Sequence, residues 1–362
     1  MRLSKRLSYF AILGSLMVFG ISFLNKARLY STLKINYPYH LHNIEVKMDT
    51  FTGAQDLTHK QIEIYEIPSR KNMFNFSNSS GIVCITFMGR LGNLMLEYAF
   101  LYAMAKSKGL YPIIPEDSNL PKIFSIHNTT LSRIGLPKDA CLKLPFHKER
   151  WGLSFDEHLF KIPRSKRENY RFHGYFQSWK YWIKYEKEIR SVFQFNDEIK
   201  RKAVSQFQKI LKERDFTLDK DGVVVSVHVR REDYLSKEVV NYGKLTPGAT
   251  FYFNAMSFFK NKFNKVLFIV GSTDTEWCRK TFDGEPNTHI STGNSAAEDI
   301  ALLSLANHTI MSVGTYGWWV GWMSGGISIY YKHIYVPGSP FSKNFMNNSI
   351  DDFIYPGWIP MD

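Results

Sequence analysis

Residues 222–233 read GVVVSVHVRRED, an apolar, β-branched run closed by two arginines and two acids. A strand that is apolar on both faces belongs inside a parallel sheet covered on both sides. Four more runs follow it: KVLFIVGS (265–272), THIST (288–292), HTIMSVG (308–314) and ISIYYK (327–332), with helical patterns between them. Upstream, IVCITFMG from Ile82 reads as a strand, GRLGN (89–93) as a glycine-bearing turn and Leu94 to Lys108 as a helix. YPIIP (111–115) is a further strand, and Trp179 to Leu211 a helical region. Strands alternating with helices predict doubly wound parallel sheets, with the ligand beyond the carboxyl ends of the strands. That rule gathers Gly89–Asn93, His228–Asp233, Ser272–Trp277 and Gly314–Gly317 around one cleft between two βα halves.

Adjacent arginines at a strand end can set guanidinium forks on a pyrophosphate and steady the charge of a phosphate leaving group. Arg230 and Arg231 fit that pattern, and Asp233 could orient an arginine or accept a proton; a solvated basic turn is the alternative. His228 shares a strand face with Ser226 and Arg230, so a core histidine stays open for it. The chain has neither a P-loop nor GxGxxG. Asp219-Lys220-Asp221 has the form of a metal-binding Asp-x-Asp, but it precedes the strand, where it reads as a turn. Neither a metal nor another cofactor is expected. Glu298 and Asp299 fall in a first helical turn, where capping is one reading. The amides around Thr315 to Gly317 could serve a phosphate, while Trp318, Trp319 and Trp322 read as core.

The 362 residues are 44% apolar and 22% charged with net charge +13, which excludes a disordered or fibrous chain and suits two domains or slightly more. Three cysteines allow at most one intrachain disulfide and show no zinc spacing. Residues 7–24, LSYFAILGSLMVFGISFL, are long enough to span a bilayer and are flanked by Arg2, Lys5, Arg6, Lys26 and Arg28. A cleaved signal peptide is the alternative, but no small-x-small site follows. The organisation expected is a cytoplasmic tail at 1–6, a signal anchor at 7–24, a stem at 25–80 and halves at 81–215 and 216–362, all lumenal after the anchor. Asn-x-Ser/Thr sites at Asn75, Asn78, Asn128 and Asn347 agree with that side; Asn307, in an apolar stretch, reads as packed. The positive charge is scattered over helices, so no nucleic-acid partner is expected.

HVRREDY (228–234) resembles the HVRRGDY signature of the galactoside α-1,2-fucosyltransferases. STDTEWC (272–278), ALLSLANHTIMSVGTYGWWVGWMSGG (301–326), GRLGNLMLEYAFLYAMA (89–105) and the closing SPFSKNF and YPGWI resemble further elements of that family in the same order. The resemblance covers about Ile82 to Ile359. It implies a Golgi, single-pass type II enzyme with a GT-B-like body of two Rossmann-like halves, acceptor side first and donor side second. The implied reaction is metal-independent, inverting transfer of fucose from GDP-fucose to the 2-hydroxyl of a terminal galactose. Arg230 and Arg231 would hold the diphosphate, with His228 and Asp233 supporting their loop. Asp274, Trp277, Asn307, His308, Thr309, Thr315 and Gly317 would bind the donor, met by Gly89, Arg90, Gly92 and Asn93 from the other half. The base is open among Asp233, Glu238, Glu97, Asp274 and Glu298. Leu94 stands where the family has Gln and Glu232 where it has Gly, which keeps a catalytically silent binding protein as the alternative.

Overall fold

The computed structural model describes residues 81–126, 128–163, 168–218 and 222–362. The tail, anchor and stem expected at 1–80, with Asn75, Asn78 and Asp219–Asp221, lie outside the described residues. Among the described residues no helix is long and apolar enough to cross a membrane.

Two parallel sheets are present among the described residues. The first has order β2-β1-β4-β3, from β1 (Ile82–Ile85), β2 (Tyr111–Ile113), β3 (Phe146–Lys148) and β4 (Tyr170–His173). The second is six-stranded, from β5 (Gly222–Val229), β6 (Lys265–Ser272), β7 (Thr288–Ile290), β8 (His308–Met311), β9 (Ser328–Tyr331) and β10 (Ile359–Met361). Its order, β10-β9-β8-β5-β6-β7, starts at the centre, runs to one edge and then returns to build the other. The direction reverses between β5 and β8, and such a switch point opens a crevice at the carboxyl ends of those two strands. Strand β5 pairs with β6 from Gly222↔Lys265 to Val229↔Ser272 and with β8 from Val225↔His308 to His228↔Met311.

The runs of β-branched residues in β5 and β6 became the two longest strands because both their faces are covered by helices. β3, β4 and β10 were not foreseen. They are three or four residues long, and β4 alternates buried and half-buried positions, so no apolar run marks them. The helical region expected over 179–211 is broken: 3-10 turns at Trp179–Tyr181 and Ile183–Tyr185 and a short helix, Glu186–Val192, precede α2 (Asp197–Glu213). Asn196 caps α2, its side chain accepting from the Ile199 amide at 2.9 Å.

The two halves share one core. Helix α1 (Leu91–Lys108) is buried from Met95 through Ala105, the pattern of a helix covered on all sides. It meets the helix that starts at Thr315, whose Trp318, Trp319 and Trp322 enclose Trp182 from the first half. Trp319 Nε1 donates to the Gly92 carbonyl at 3.0 Å, so the tryptophans are core and tie the halves together. Cys84 in β1 is disulfide-bonded to Cys141, leaving Cys278 free and buried.

Candidate active site

A cleft of about 560 Å3 opens at the switch point and is lined from both halves. Strand β5 delivers His228 and Arg230 to it, β6 delivers Ser272, and the helix after β8 delivers Thr315 and Tyr316. From the first half come Gly89, Arg90, Gly92 and Asn93, at the start of α1, and Tyr175 and Gln177 after β4. In the second half, α3 (Lys237–Tyr242), α6 (Ala296–Ser304) and α7 (Thr315–Ser324) contribute to the lining, whereas α4 (Ala249–Lys262) and α5 (Thr275–Thr281) do not.

At the centre, Arg230 Nε and Nη2 donate to the two oxygens of Asp233 at 2.8 and 2.6 Å. Arg90 Nη1, from the opposite half, lies 3.7 Å from Asp233 Oδ2. Burial works against the Asp233 carboxylate, but the hydrogen bonds and charge of Arg230 and the charge of Arg90 outweigh it and hold its pKa below the usual range. Lys244 lines the same space between the rings of Tyr234 and Phe341, at 5.3 and 4.9 Å. Its pKa is lowered, chiefly by burial. Three cations and one carboxylate therefore surround the hub. The Arg230 backbone is also fixed: its amide donates to Ser312 Oγ at 2.9 Å, and Thr246 Oγ1 donates to its carbonyl at 2.5 Å.

The two halves approach closely beside this hub. A Cβ on Gly92 would fall 2.7 Å from the Thr315 carbonyl carbon and the Tyr316 amide, so only glycine lets the starts of α1 and α7 touch. Thr315 Oγ1 and Gln177 Nε2 both donate to Asn93 Oδ1, at 2.7 and 3.0 Å. Gly317 is needed for a similar reason, since a Cβ there would lie 2.4 Å from His228 Nδ1. His228 is buried, and burial, then Arg230, push its pKa down to about 3, so the ring is neutral at physiological pH. Its Nδ1 is buried without a hydrogen-bond partner.

Neighbouring residues in the motif part company here. Arg231 turns away: its guanidinium lies 4.1 Å over the Trp277 ring, its Nε is 3.5 Å from Asp274 Oδ2, and none of the three residues lines the cleft. Asp233, with which Arg231 could have paired, is held by Arg230 instead. Asp274 caps α5, accepting from the Trp277 amide at 3.1 Å.

Asn307, His308 and Thr309 also lie elsewhere, at the amino end of β8. Asn307 Oδ1 accepts from the Val224 amide at 2.9 Å, and His308 Nδ1 accepts from the Ile327 amide at 3.1 Å while its ring stacks on Phe259 and Phe263. Thr309 is buried against Ser226 and Ser324. These three are absent from the cleft lining and hold the sheet together.

Glu298 forms a capping box with Ser295 and an ion pair with Lys202, which hold its pKa down to about 2. Asp299, its neighbour, is different. It lines the cleft, its Oδ1 accepts from Ser291 Oγ at 3.0 Å and Asn294 Nδ2 at 3.2 Å, and burial raises its pKa. Glu238 is exposed on α3, outside the cleft lining. Glu97 is fully buried behind the first-half loop, both oxygens accepting from the Met88 amide, and burial lifts its pKa to about 9. Leu94 packs on the hydrophobic core and Glu232 is exposed; neither lines the cleft. Sequence reasoning had not singled out Lys244, Ser312, Thr246 or Gln177. Only Ser312, at the end of a strand run, carried a signal of its own.

Among the described residues no group of three or more His, Cys, Asp or Glu is placed to hold a metal ion. Of the sequons, Asn347 is exposed; Asn128 is half-buried, and Thr130 of its sequon is buried.

Residues 57–361 match glycosyl transferase family 11. Galactoside alpha-(1,2)-fucosyltransferase 2 of Gorilla gorilla gorilla is 32% identical over 295 residues, 78% of this chain and 81% of the relative. The protein of the same name from Mus musculus is 31% identical over 322 residues, 84% and 86% of the two chains. Mouse galactoside 2-alpha-L-fucosyltransferase Sec1 is 31% identical over 277 residues, 73% and 70% of the two chains. Among solved structures, Arabidopsis thaliana FUT1 in complex with GDP superposes with a TM-score of 0.47 at 11% identity, covering 75% of this chain and 73% of that one. A match over most of its length and its likeness to these curated relatives place the chain in glycosyl transferase family 11.

Proposed function

We propose that this protein transfers fucose from GDP-fucose to the 2-hydroxyl of a terminal galactose on glycans, with inversion and without a metal ion. The observation that carries the proposal is the hub, where Arg90, Arg230 and Lys244 converge on one carboxylate at the switch point of the donor-side sheet. Fixed guanidiniums neutralise a leaving diphosphate without reorganising, which is how an enzyme lowers the cost of developing charge. The same three cations supply the neutralisation that a divalent ion would otherwise provide.

Each residue then has a task. The diphosphate competes with Asp233 for the Arg230 fork, and the carboxylate it displaces is free to take the proton of the attacking hydroxyl. Asp299 sits on a second arm of the cleft with Ser272, Thr273 and Asn294. A carboxylate there matches the paired N–H donors on the edge of guanine. Neutral His228, wedged by Gly317 against Tyr316, shapes the floor between arm and hub. Leu94 and Glu232, which favoured a silent binding protein, are outside the cleft, so nothing in the site speaks for that reading.

The rest of the proposal concerns place and architecture. Halves 81–215 and 216–362 form a GT-B-like body, acceptor side and donor side. The body lies in the Golgi lumen, tethered as a type II protein by residues 7–24. A disulfide between Cys84 and Cys141 suits an oxidising compartment, and exposed Asn347 suits glycosylation.

The test is GDP release from GDP-fucose by the full chain in detergent, in EDTA, with and without methyl β-galactoside. Release that rises with the galactoside and survives EDTA is the expected result. GDP binding with no response to the galactoside would overturn the transferase reading, and abolition by EDTA would overturn metal independence.

A further inference from the structure

Besides the arm that holds Asp299, the cleft has another wall, made of residues to which the proposed reaction so far assigns no task. It is assembled from three distant segments: Tyr175 and Gln177 after β4, Tyr242 at the end of α3, and Phe341 with Asn344 near the carboxyl terminus. Two of its aromatic rings are exposed, Tyr175 at 40% and Tyr242 at 41%, whereas many of the protein's bulkiest aromatic side chains are fully buried. Exposed tyrosines in a cleft offer a flat apolar face with a polar edge.

This wall is rigidly built. Tyr242 packs on Phe341 with ring centroids 5.6 Å apart, and its hydroxyl accepts from Asn344 Nδ2 at 3.1 Å. Asn344 Nδ2 also donates to the Phe341 carbonyl at 2.9 Å, and the Asn344 carbonyl accepts from the Leu153 amide at 3.1 Å, which joins the segment to the first half. On the other side, Glu149 is buried and its Oε2 accepts from the amides of both Tyr175 and Phe176 at 2.9 Å. Its Oε1 accepts from the Tyr181 hydroxyl at 3.0 Å. Phe176 has φ of 50°, a left-handed conformation that costs energy for a bulky residue and persists only where its surroundings impose it. A buried carboxyl group is costly unless it is hydrogen-bonded, and Glu149 places its hydrogen bonds on two consecutive amides of a strained loop, which fixes that loop's shape.

We infer that the acceptor galactose is seated in this arm, its apolar face on Tyr242 and Tyr175 and its hydroxyls on the amides of Asn344 and Gln177, with Glu149 acting as the positioning residue for the Tyr175 side. The inference rests on the proposed transferase activity and goes beyond it by assigning the residues that select the acceptor. Pyranose rings carry one face of C–H groups and a rim of hydroxyls, which is the chemistry this wall offers. Gln177 also connects the arm to the hub, because its Nε2 donates to Asn93 Oδ1, the atom that takes the Thr315 hydroxyl.

The experiment measures, on the full chain, the KM for methyl β-galactoside at saturating GDP-fucose and the Kd for GDP by calorimetry. Tyr242→Ala and Tyr175→Ala are each expected to raise the galactoside KM about tenfold or more while GDP affinity stays within about twofold. Tyr175→Phe keeps the ring and should behave as wild type. Glu149→Ala should raise the galactoside KM, and Glu149→Gln, which retains an acceptor oxygen, should restore it. An unchanged galactoside KM in both alanine variants overturns this inference alone, as does a parallel loss of GDP affinity, since the arm would then not be separable from the donor side. A wild type that binds GDP but shows no galactoside-dependent release overturns the transferase reading and the inference with it.

Discussion

The two ends of the six-stranded sheet use similar residues for opposite purposes. At the carboxyl end, His228, Arg230 and Thr315 face an open cleft, and Arg230, Arg90 and Asp233 pair with one another within its lining, where a ligand can reach them. At the amino end, Asn307, His308 and Thr309 are spent on the fold, one capping the Val224 amide, one stacked between phenylalanines, one in a hydroxyl chain. The segment 301–326 crosses the sheet from one end to the other. Likeness to a family along such a block therefore mixes residues that keep the sheet with residues that meet the ligand, and the strand's direction separates them.

The sharpest way to break that comparison is within Arg230 and Arg231. Arg230→Ala should cost about a thousandfold in kcat/KM with little change in melting temperature, since it removes a fixed fork from the developing charge. Arg231→Ala should show the reverse. It removes a guanidinium stacked on Trp277, so it should lower stability by about 1–2 kcal/mol and leave kcat/KM within about tenfold of wild type. Equal kinetic losses in both would show that the loop acts as a unit and that the division drawn here is wrong.

At the amino end, His308→Ala should cost about 1–2 kcal/mol of stability, because the Ile327 amide loses its acceptor, and leave turnover unchanged. A pH scan sharpens the point. Burial, then Lys262, lower the His308 pKa to about 4 from the usual 6.5. The unfolded chain therefore binds the proton first, and this contribution to stability is complete above about 6.5 and lost as pH falls toward 4. Denaturation midpoints of wild type and variant should converge in that acid window.

A further test falls on Glu97, behind the first-half loop. Its folded pKa is raised to about 9 from 4.5, so the unfolded chain releases its proton first as pH rises. Stability from this group is fully present below about 4.5 and falls between there and about 9. Glu97→Gln should flatten the decline, which denaturant titration at pH 5 and pH 8 would detect as a variant that gains on wild type at the higher pH.

Most of the six-stranded sheet was legible in the sequence because its central strands are buried on both faces and appear as apolar runs. β3, β4 and β10 were not, being short and partly exposed. In the site, Arg230 was legible from its place at a strand end. Arg231, expected beside it, lies outside the cleft lining, as the alternation of side chains along extended backbone already argues for neighbours that face opposite ways. For Glu298 and Asp299 capping was one of two open readings; one residue of rotation puts Glu298 on the cap and Asp299 in the cleft. Lys244 and Gln177 sit in connections and Tyr242 ends a six-residue helix, all positioned by packing between the halves, so no local pattern announces them.

The central claim is that the carboxyl end of the donor-side sheet grips a diphosphate through Arg230. Calorimetric titration of GDP and GMP into wild type and Arg230→Ala tests it most directly. The account predicts that wild type prefers GDP over GMP by about tenfold or more and that Arg230→Ala loses that preference while GMP affinity changes little. An Arg230→Ala protein that still prefers GDP to the wild-type extent would contradict it.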